Sequence, residues 1–202
     1  MKSIVGIILA GGQSRRFGTP KAFAKRNEIP FYQYSLEALQ PFVFDIILVT
    51  NAKLNKSFKE HETTFQVVND MDKYQGQGPL AGIYTAMERI ESDWYIVLPV
   101  DVPFVESWVF NRLITNTSEH VDAIVPVVDG QIQPLFALYN RTIKQQLVEL
   151  LDNHKRSMKA LLDTCVVTYV KIDDQNPFIN INDQNDYQIY IGNSKEEGEN
   201  KK

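Results

Sequence analysis

The sequence predicts a single α/β domain, built on a doubly wound, mostly parallel sheet that carries an antiparallel addition. Three observations support that reading. Near-continuous apolar runs recur at Ile4–Ala10, Ile46–Val49 and Tyr95–Leu98, as strands buried on both faces of a parallel sheet require. Segments of helical period separate these runs. Two extended runs, Val121–Val128 and Ile132–Tyr139, then meet at Asp129-Gly130, a pair suited to a tight hairpin turn.

Taken in order, Ile4–Ala10 is the first strand. Its apolar core is too short, and too soon followed by Gly11-Gly12 and two arginines, for a signal peptide. Tyr34, Leu36, Leu39 and Phe42 mark a first helix interrupted at Pro41. Ile46–Val49 is the second strand and Phe65–Val68 a shorter third. Leu80, Ile83, Tyr84, Met87 and Ile90 share one helical face, with Pro79 in the first turn, where its missing N–H costs little. Tyr95–Leu98 and the hairpin follow. Ile143, Leu147, Leu150 and Leu151 form another helical stripe, and Met158, Leu161 and Leu162 a short one. Val166–Ile172 reads as a late strand and Asp183–Ile191 as a closing helix. The domain is expected to span residues 1–192, with the polar run 193–202 a disordered tail.

The 202 residues are 44% hydrophobic and 23% charged, which gives a real core and excludes an intrinsically disordered chain. Lys and Arg number 21 against 25 Asp and Glu. The net charge of −4 offers no general attraction for nucleic acid or an anionic membrane, and neither is expected as a partner. No run approaches the roughly 20 apolar residues that cross a bilayer, so a cytoplasmic protein is expected. Cys165 is the only cysteine, which excludes an internal disulfide and a cysteine-rich zinc site. Its neighbours Val166 and Val167 point to a buried, inert thiol. His61, His120 and His154 lack metal-ligand spacing and receive no catalytic role. Trp94 and Trp108 read as structural.

The most informative stretch is Leu9-Ala10-Gly11-Gly12-Gln13-Ser14-Arg15-Arg16-Phe17-Gly18-Thr19-Pro20-Lys21. It leaves the first strand where open α/β sheets place their ligands, at the carboxyl ends of the strands. Gly11 and Gly12 lack β-carbons, so backbone N–H groups can approach an anion closely. Arg15, Arg16 and Lys21 add three cations able to wrap a polyphosphate. The dinucleotide fingerprint is excluded because the glycines are adjacent, and the Walker A loop because no Gly-Lys-Ser/Thr occurs. A glycine turn with solvated arginines is the plainer alternative, and the three cations behind a buried strand favour the ligand.

Leu9 to Gly18 followed by Lys21-Ala22 resembles the LAGGxSxRMGxxKA signature of nucleotidyltransferases with a Rossmann-like, GT-A-like fold, and in detail that of the molybdenum cofactor guanylyltransferases (MobA-type). Phe17 replaces the usual methionine and Pro20 the usual aspartate. Gly78-Pro79-Leu80-Ala81-Gly82 matches the GPLAG run of the same branch. The resemblance extends from Leu9 to Asp183. It implies transfer of GMP from GTP to molybdopterin or Mo-molybdopterin with Mg²⁺ as cofactor, and brings in molybdoenzymes or cofactor chaperones as further partners. Pro20-Lys21 is shared with sugar and cytidylyl relatives, so a cytidylyl- or sugar-phosphate nucleotidyltransferase is the alternative enzyme. A nucleotide-binding regulator without catalysis is the alternative outside enzymes.

Asp101 follows a buried strand directly, facing the crevice of the glycine loop. By resemblance it holds the metal and contacts nucleotide; capping a helix near Glu106 is the structural alternative. Asp70 ends the shorter strand, as a nucleotide contact by resemblance or as the start of an Asx turn. Gly78 permits close approach of a base or ribose, or simply joins loop to helix. Asn51, past the second strand, is a further candidate contact. The nucleotide set is thus Leu9, Ala10, Gly11, Gly12, Lys21, Asp70, Gly78 and Asp101, with Arg16, Lys21 and Asp101 catalytic. Gln133-Pro134-Leu135 lies where the family often has His-Pro, so no histidine is available there. Phe178-Ile179-Asn180-Ile181-Asn182-Asp183 resembles the family's FxNxNTPED segment, keeping both asparagines and losing Thr-Pro. Alternation puts Asn180 and Asn182 on one face, able to seat a pterin or phosphate. Asp183 can cap the last helix instead. Lys155 and Arg156 are candidates for an acceptor phosphate or for solvated surface.

Overall fold

The computed structural model describes residues 2–12, 17–59 and 65–192. Arg15, Arg16, His61 and the run 193–202 lie outside the described residues. In chain order the elements are β1 (Ile4–Leu9), β2 (Lys25–Arg26), β3 (Ile29–Pro30), α1 (Phe31–Leu39), β4 (Asp45–Thr50), α2 (Ala52–Lys59), β5 (Gln66–Asn69), α3 (Pro79–Arg89), β6 (Trp94–Pro99), α4 (Ser107–Ile114), β7 (Ala123–Val128), β8 (Gln131–Ile132), β9 (Leu138–Asn140), α5 (Lys144–Asp152), α6 (Met158–Leu162), β10 (Val167–Ile172) and α7 (Gln184–Tyr190).

The main sheet runs β10-β7-β9-β6-β1-β4-β5, with β8 paired to β7. β1 sits in its interior, third from the β5 edge, because every side chain it carries is apolar and can face protein on either side. Ile4 and Ile8 join one core with Tyr32, Leu36 and Leu39 of α1 and Val109, Phe110 and Leu113 of α4. Val5 and Ile7 join the opposite core with Leu80, Ile83 and Met87 of α3 and Leu147 and Leu151 of α5. Gly6 admits α1 closely: a Cβ there would meet Leu39 Cδ1 at 3.1 Å and Ile46 Cγ1 at 3.2 Å. A sheet covered on both faces is the doubly wound arrangement expected from the apolar runs.

Topology places the site. β1 pairs in parallel with β4 on one side and with β6 on the other. The chain therefore winds outward to β5, then returns across β1 to β6. The carboxyl end of β1 is a topological switch point, where a crevice opens. Ala10 N donates to Val49 O at 2.8 Å and Val100 N to Leu9 O at 3.1 Å, which closes the floor of that crevice.

The antiparallel addition differs in one respect from the sequence reading. Asp129 and Gly130 do make the hairpin turn, with φ of 47° and 72°. The second extended run, however, is broken into β8 and β9. Pro134 lacks the N–H that a continuous ladder needs. Residues 133–137 instead bend, with Gln133 N on Pro126 O and Phe136 N on Gln133 O. The chain then re-enters as β9, antiparallel to both β6 and β7. Two elements add to the expected set: the small β2–β3 hairpin, with Asn27 and Glu28 at positive φ, and α2. Among the described residues no helix is long and apolar enough to cross a membrane.

Candidate functional site

The crevice above β1 is a cleft of about 570 Å³. Strand ends supply its chemistry. β1 contributes Leu9, Ala10, Gly11 and Gly12, β6 contributes Asp101, and β5 contributes Asp70. Lys21 enters from the turn of 3₁₀ helix at Lys21–Phe23, and Gly78 from the start of α3. Sequence reasoning placed these eight residues at one site, and the fold brings all eight to the same cleft. Arg16 lies outside the described residues.

At the centre, Lys21 Nζ donates to Asp101 Oδ2 at 2.8 Å, with the two side chains only 13% and 18% exposed. Asp101 Oδ1 is buried and has no hydrogen-bond partner among the described residues. A carboxylate oxygen in that state carries a large desolvation cost unless another group completes it. Asp101 caps no helix: α4 begins at Glu106–Ser107 without a side-chain cap. Lys21 Nζ also approaches Asn182 Oδ1, at 3.5 Å.

Gly11 and Gly12 have room that the protein does not use. Among the described residues, a Cβ on Gly11 would meet only Thr50 backbone at 3.9 Å, and one on Gly12 nothing within 4 Å. Their lack of side chains therefore leaves space open toward the cleft. Gly78 and Gly82 answer internal needs instead. Gly78 has φ of 77°, a conformation that favours glycine. Gly82 lets α3 lie on the strands: its Cβ would stand 2.7 Å from Leu9 Cδ2.

Burial raises the Asp70 carboxyl above the ordinary carboxylate value, and the Gly76 N–H that donates to it partly offsets this. Asp70 thus lines the cleft and closes the 71–78 loop through Gly76, six residues on, in place of the Asx turn, which reaches only two residues ahead. Asn51 is the cap of α2, its Oδ1 accepting from Lys53 N at 3.1 Å and Leu54 N at 3.2 Å. It also borders a second hollow of about 770 Å³ that shares Gly11, Gly12, Asp70 and Gly76 with the first.

On the acceptor side the structure separates the candidates. Asn182 lines the cleft, whereas Asn180 is exposed and does not. Asp183 caps α7, accepting from Asn185 N and Asp186 N at 3.0 Å each. Arg156 is exposed; its carbonyl, not its guanidinium, lies near Gly78, 3.9 Å from the position of a Cβ there. Leu135, which the sequence singled out only for a missing neighbour, reaches the cleft because the bend around Pro134 turns it inward. Cys165 is half-buried, and burial pushes its thiol up to about 11, which leaves little thiolate near neutral pH. Among the described residues no three His, Cys, Asp or Glu side chains cluster to hold a metal. A divalent ion at Asp101 would take its remaining ligands from substrate oxygens and water, as Mg²⁺ commonly does.

Residues 6–168 match the family described as the MobA-like NTP transferase domain. The chain is similar to a "Probable molybdenum cofactor guanylyltransferase" of Geobacillus sp., 40% identical over 195 residues, covering 95% of this chain and 100% of that relative. It is also similar to a protein of the same name from Bacillus cytotoxicus, 38% identical over 191 residues, covering 93% and 96%. Its fold is that of molybdopterin-guanine dinucleotide biosynthesis protein A from Archaeoglobus fulgidus. The TM-score is 0.80 at 22% identity, over 95% of this chain and 99% of that one.

Proposed function

The chain belongs to the family of MobA-like NTP transferase domains, and from that premise we propose that it transfers GMP from GTP to molybdopterin, forming the guanine dinucleotide of the molybdenum cofactor and releasing pyrophosphate. It is a nucleotidyltransferase of molybdenum cofactor biosynthesis, as its relatives are named. The observation that carries the residue-level reading is the Lys21–Asp101 pair, held at the switch point between Gly11-Gly12 and Asn182.

The terminal phosphate of the acceptor attacks the α-phosphorus of GTP in line. One P–O bond forms to the acceptor, and the α–β bond breaks to release pyrophosphate. That phosphate is already anionic near neutral pH, so no strong general base is needed, in keeping with a cleft lined by no histidine among the described residues. What the protein supplies is position and charge neutralisation. Lys21 faces the phosphates, the Gly11 and Gly12 N–H groups assist, and Arg16 extends the cationic loop. Asn182, beside Lys21, orients the acceptor phosphate. The unpartnered Asp101 Oδ1 fits a divalent ion, with Mg²⁺ the reading that family chemistry favours. Such an ion, when bound, would neutralise charge on the phosphate oxygens.

The test is thermal unfolding with Mg²⁺ and GTP, CTP, UTP or ATP singly, followed by pyrophosphate release with molybdopterin. GTP at a hundred times its Kd adds about 2.7 kcal/mol of stability. A larger shift with CTP or UTP than with GTP would overturn the guanine assignment.

A further inference from the structure

Two places where this chain departs from the family pattern meet in space. Phe17 stands for a methionine in the first-loop signature, and Asp183-Gln184 for Thr-Pro in the late segment. Gln184 Nε2 donates to the Phe17 carbonyl at 2.7 Å, across 167 residues of sequence. The Phe17 ring is buried in a small apolar cluster, separate from both main cores, with Phe31, Ile181 and Ile191. Tyr187 meets that ring edge-on, centroids 5.8 Å apart, and its hydroxyl donates to Lys25 O at 2.6 Å.

The same closing segment reaches the reacting groups. Ile181 N donates to Asp101 O at 2.9 Å, and Asn182 lies beside Lys21. Phe17 is five residues past Gly12 and four before Lys21. Whatever fixes Phe17 fixes a point midway along the chain that joins the glycine pair to the lysine, directly after Arg15-Arg16.

We propose that Gln184 is a positioning residue for the nucleotide phosphates: its hydrogen bond to Phe17 ties the phosphate-binding loop to the closing helix. The inference rests on the nucleotidyltransferase reading. Gln184 touches no reacting atom, so its contribution falls on nucleotide affinity and not on the bond-making step.

Gln184→Pro tests this without disturbing the helix. Gln184 is the first residue of α7, where proline is well tolerated, and the Asp183 cap uses the N–H groups of residues 185 and 186. Asp183 is extended, with φ −145° and ψ −176°, as a residue before proline prefers. Gln184→Glu keeps the side-chain length and turns an acceptor toward the Phe17 carbonyl. For both variants KM for GTP rises about three- to tenfold, the range one ordinary hydrogen bond supports, while kcat stays within about twofold. If both leave KM within about twofold, or lower kcat at unchanged KM, the proposal is wrong. Should the wild-type protein use a different nucleoside triphosphate, the guanine reading fails on its own. The Gln184 effect is then read with that nucleotide, because it acts through the phosphate loop and not the base.

Discussion

Asp101→Asn separates the stability of the site from its chemistry. At 2.8 Å and an effective dielectric of about 20, the Coulomb attraction between Lys21 and Asp101 is about 6 kcal/mol. Against it stands the cost of taking two ions largely out of water, several kcal/mol for each. The buried, unpartnered Oδ1 adds about 1–3 kcal/mol on the unfavourable side. The opposing contributions nearly cancel. Asparagine keeps the shape and an oxygen that can accept from Lys21, so the variant stays within about 2 kcal/mol of wild type in urea denaturation. Turnover behaves differently. On the proposed reading asparagine is a neutral, poorer ligand for a divalent ion, and weakening the hold on that positive charge costs about a hundredfold or more in kcat. Pyrophosphate release at saturating GTP and acceptor reads that loss. A folded variant that keeps more than about a tenth of wild-type kcat would refute the assignment. A loss of stability above about 4 kcal/mol would show that the pair is principally structural.

Three other outcomes follow from single contacts. Gly82→Ala puts a Cβ 2.7 Å from Leu9 Cδ2 and pushes that side chain toward the cleft. The GTP-induced rise in Tm shrinks several-fold, while global stability changes little because alanine gains about 1 kcal/mol in helix propensity. Asp93 accepts from Ser3 N at 2.9 Å and Ser3 Oγ at 3.0 Å, and these bonds hold its carboxyl below the usual value. Its contribution is present above the unfolded pKa, near 4, and is lost as pH falls through the lower folded value. Asp93→Asn therefore destabilises by less than about 1 kcal/mol at pH 7, a difference that narrows in urea titrations at pH 3. With its thiol at about 11, Cys165 is alkylated at pH 8.5 on the order of tenfold more slowly than a free thiol, and promptly in urea.

The sheet and the candidate cleft were legible because a parallel strand buried on both faces declares itself residue by residue. Ile4–Leu9 and Trp94–Pro99 are nearly all apolar, and their carboxyl ends are where Gly11 and Asp101 sit. Helix α2 was not legible. In Ala52–Lys59 only Leu54 and Phe58 form an apolar stripe, too thin to distinguish from a polar loop, and without that helix in view nothing marks Asn51 as its cap. The break between β8 and β9 hinges on Pro134, whose effect on the ladder shows only once its partner strand is known. The Gln184–Phe17 bond carries no local signal at all. Alternation predicts Asn180 and Asn182 on one face, yet only Asn182 reaches the cleft, because the segment meets Asp101 and Lys21 at that point.

The charge balance of the site explains why it needs more than its lysine. Lys21 is fixed before substrate arrives, which removes the reorganisation that a mobile ammonium would require. Its charge, however, is matched by Asp101, so the pair presents little net positive field to a triphosphate. In a protein of net charge −4 the deficit must be met locally. The chain provides Gly11 and Gly12 N–H groups and, in sequence, Arg15 and Arg16 between Gly12 and Phe17. The Asp101 oxygen left without a partner marks where further positive charge is wanted. Anchoring Phe17 through Gln184 then gains its significance. On the proposed reading, a loop that carries two arginines in sequence binds phosphate well only if it is held in place, and the Gln184 bond of α7 holds its Phe17 end.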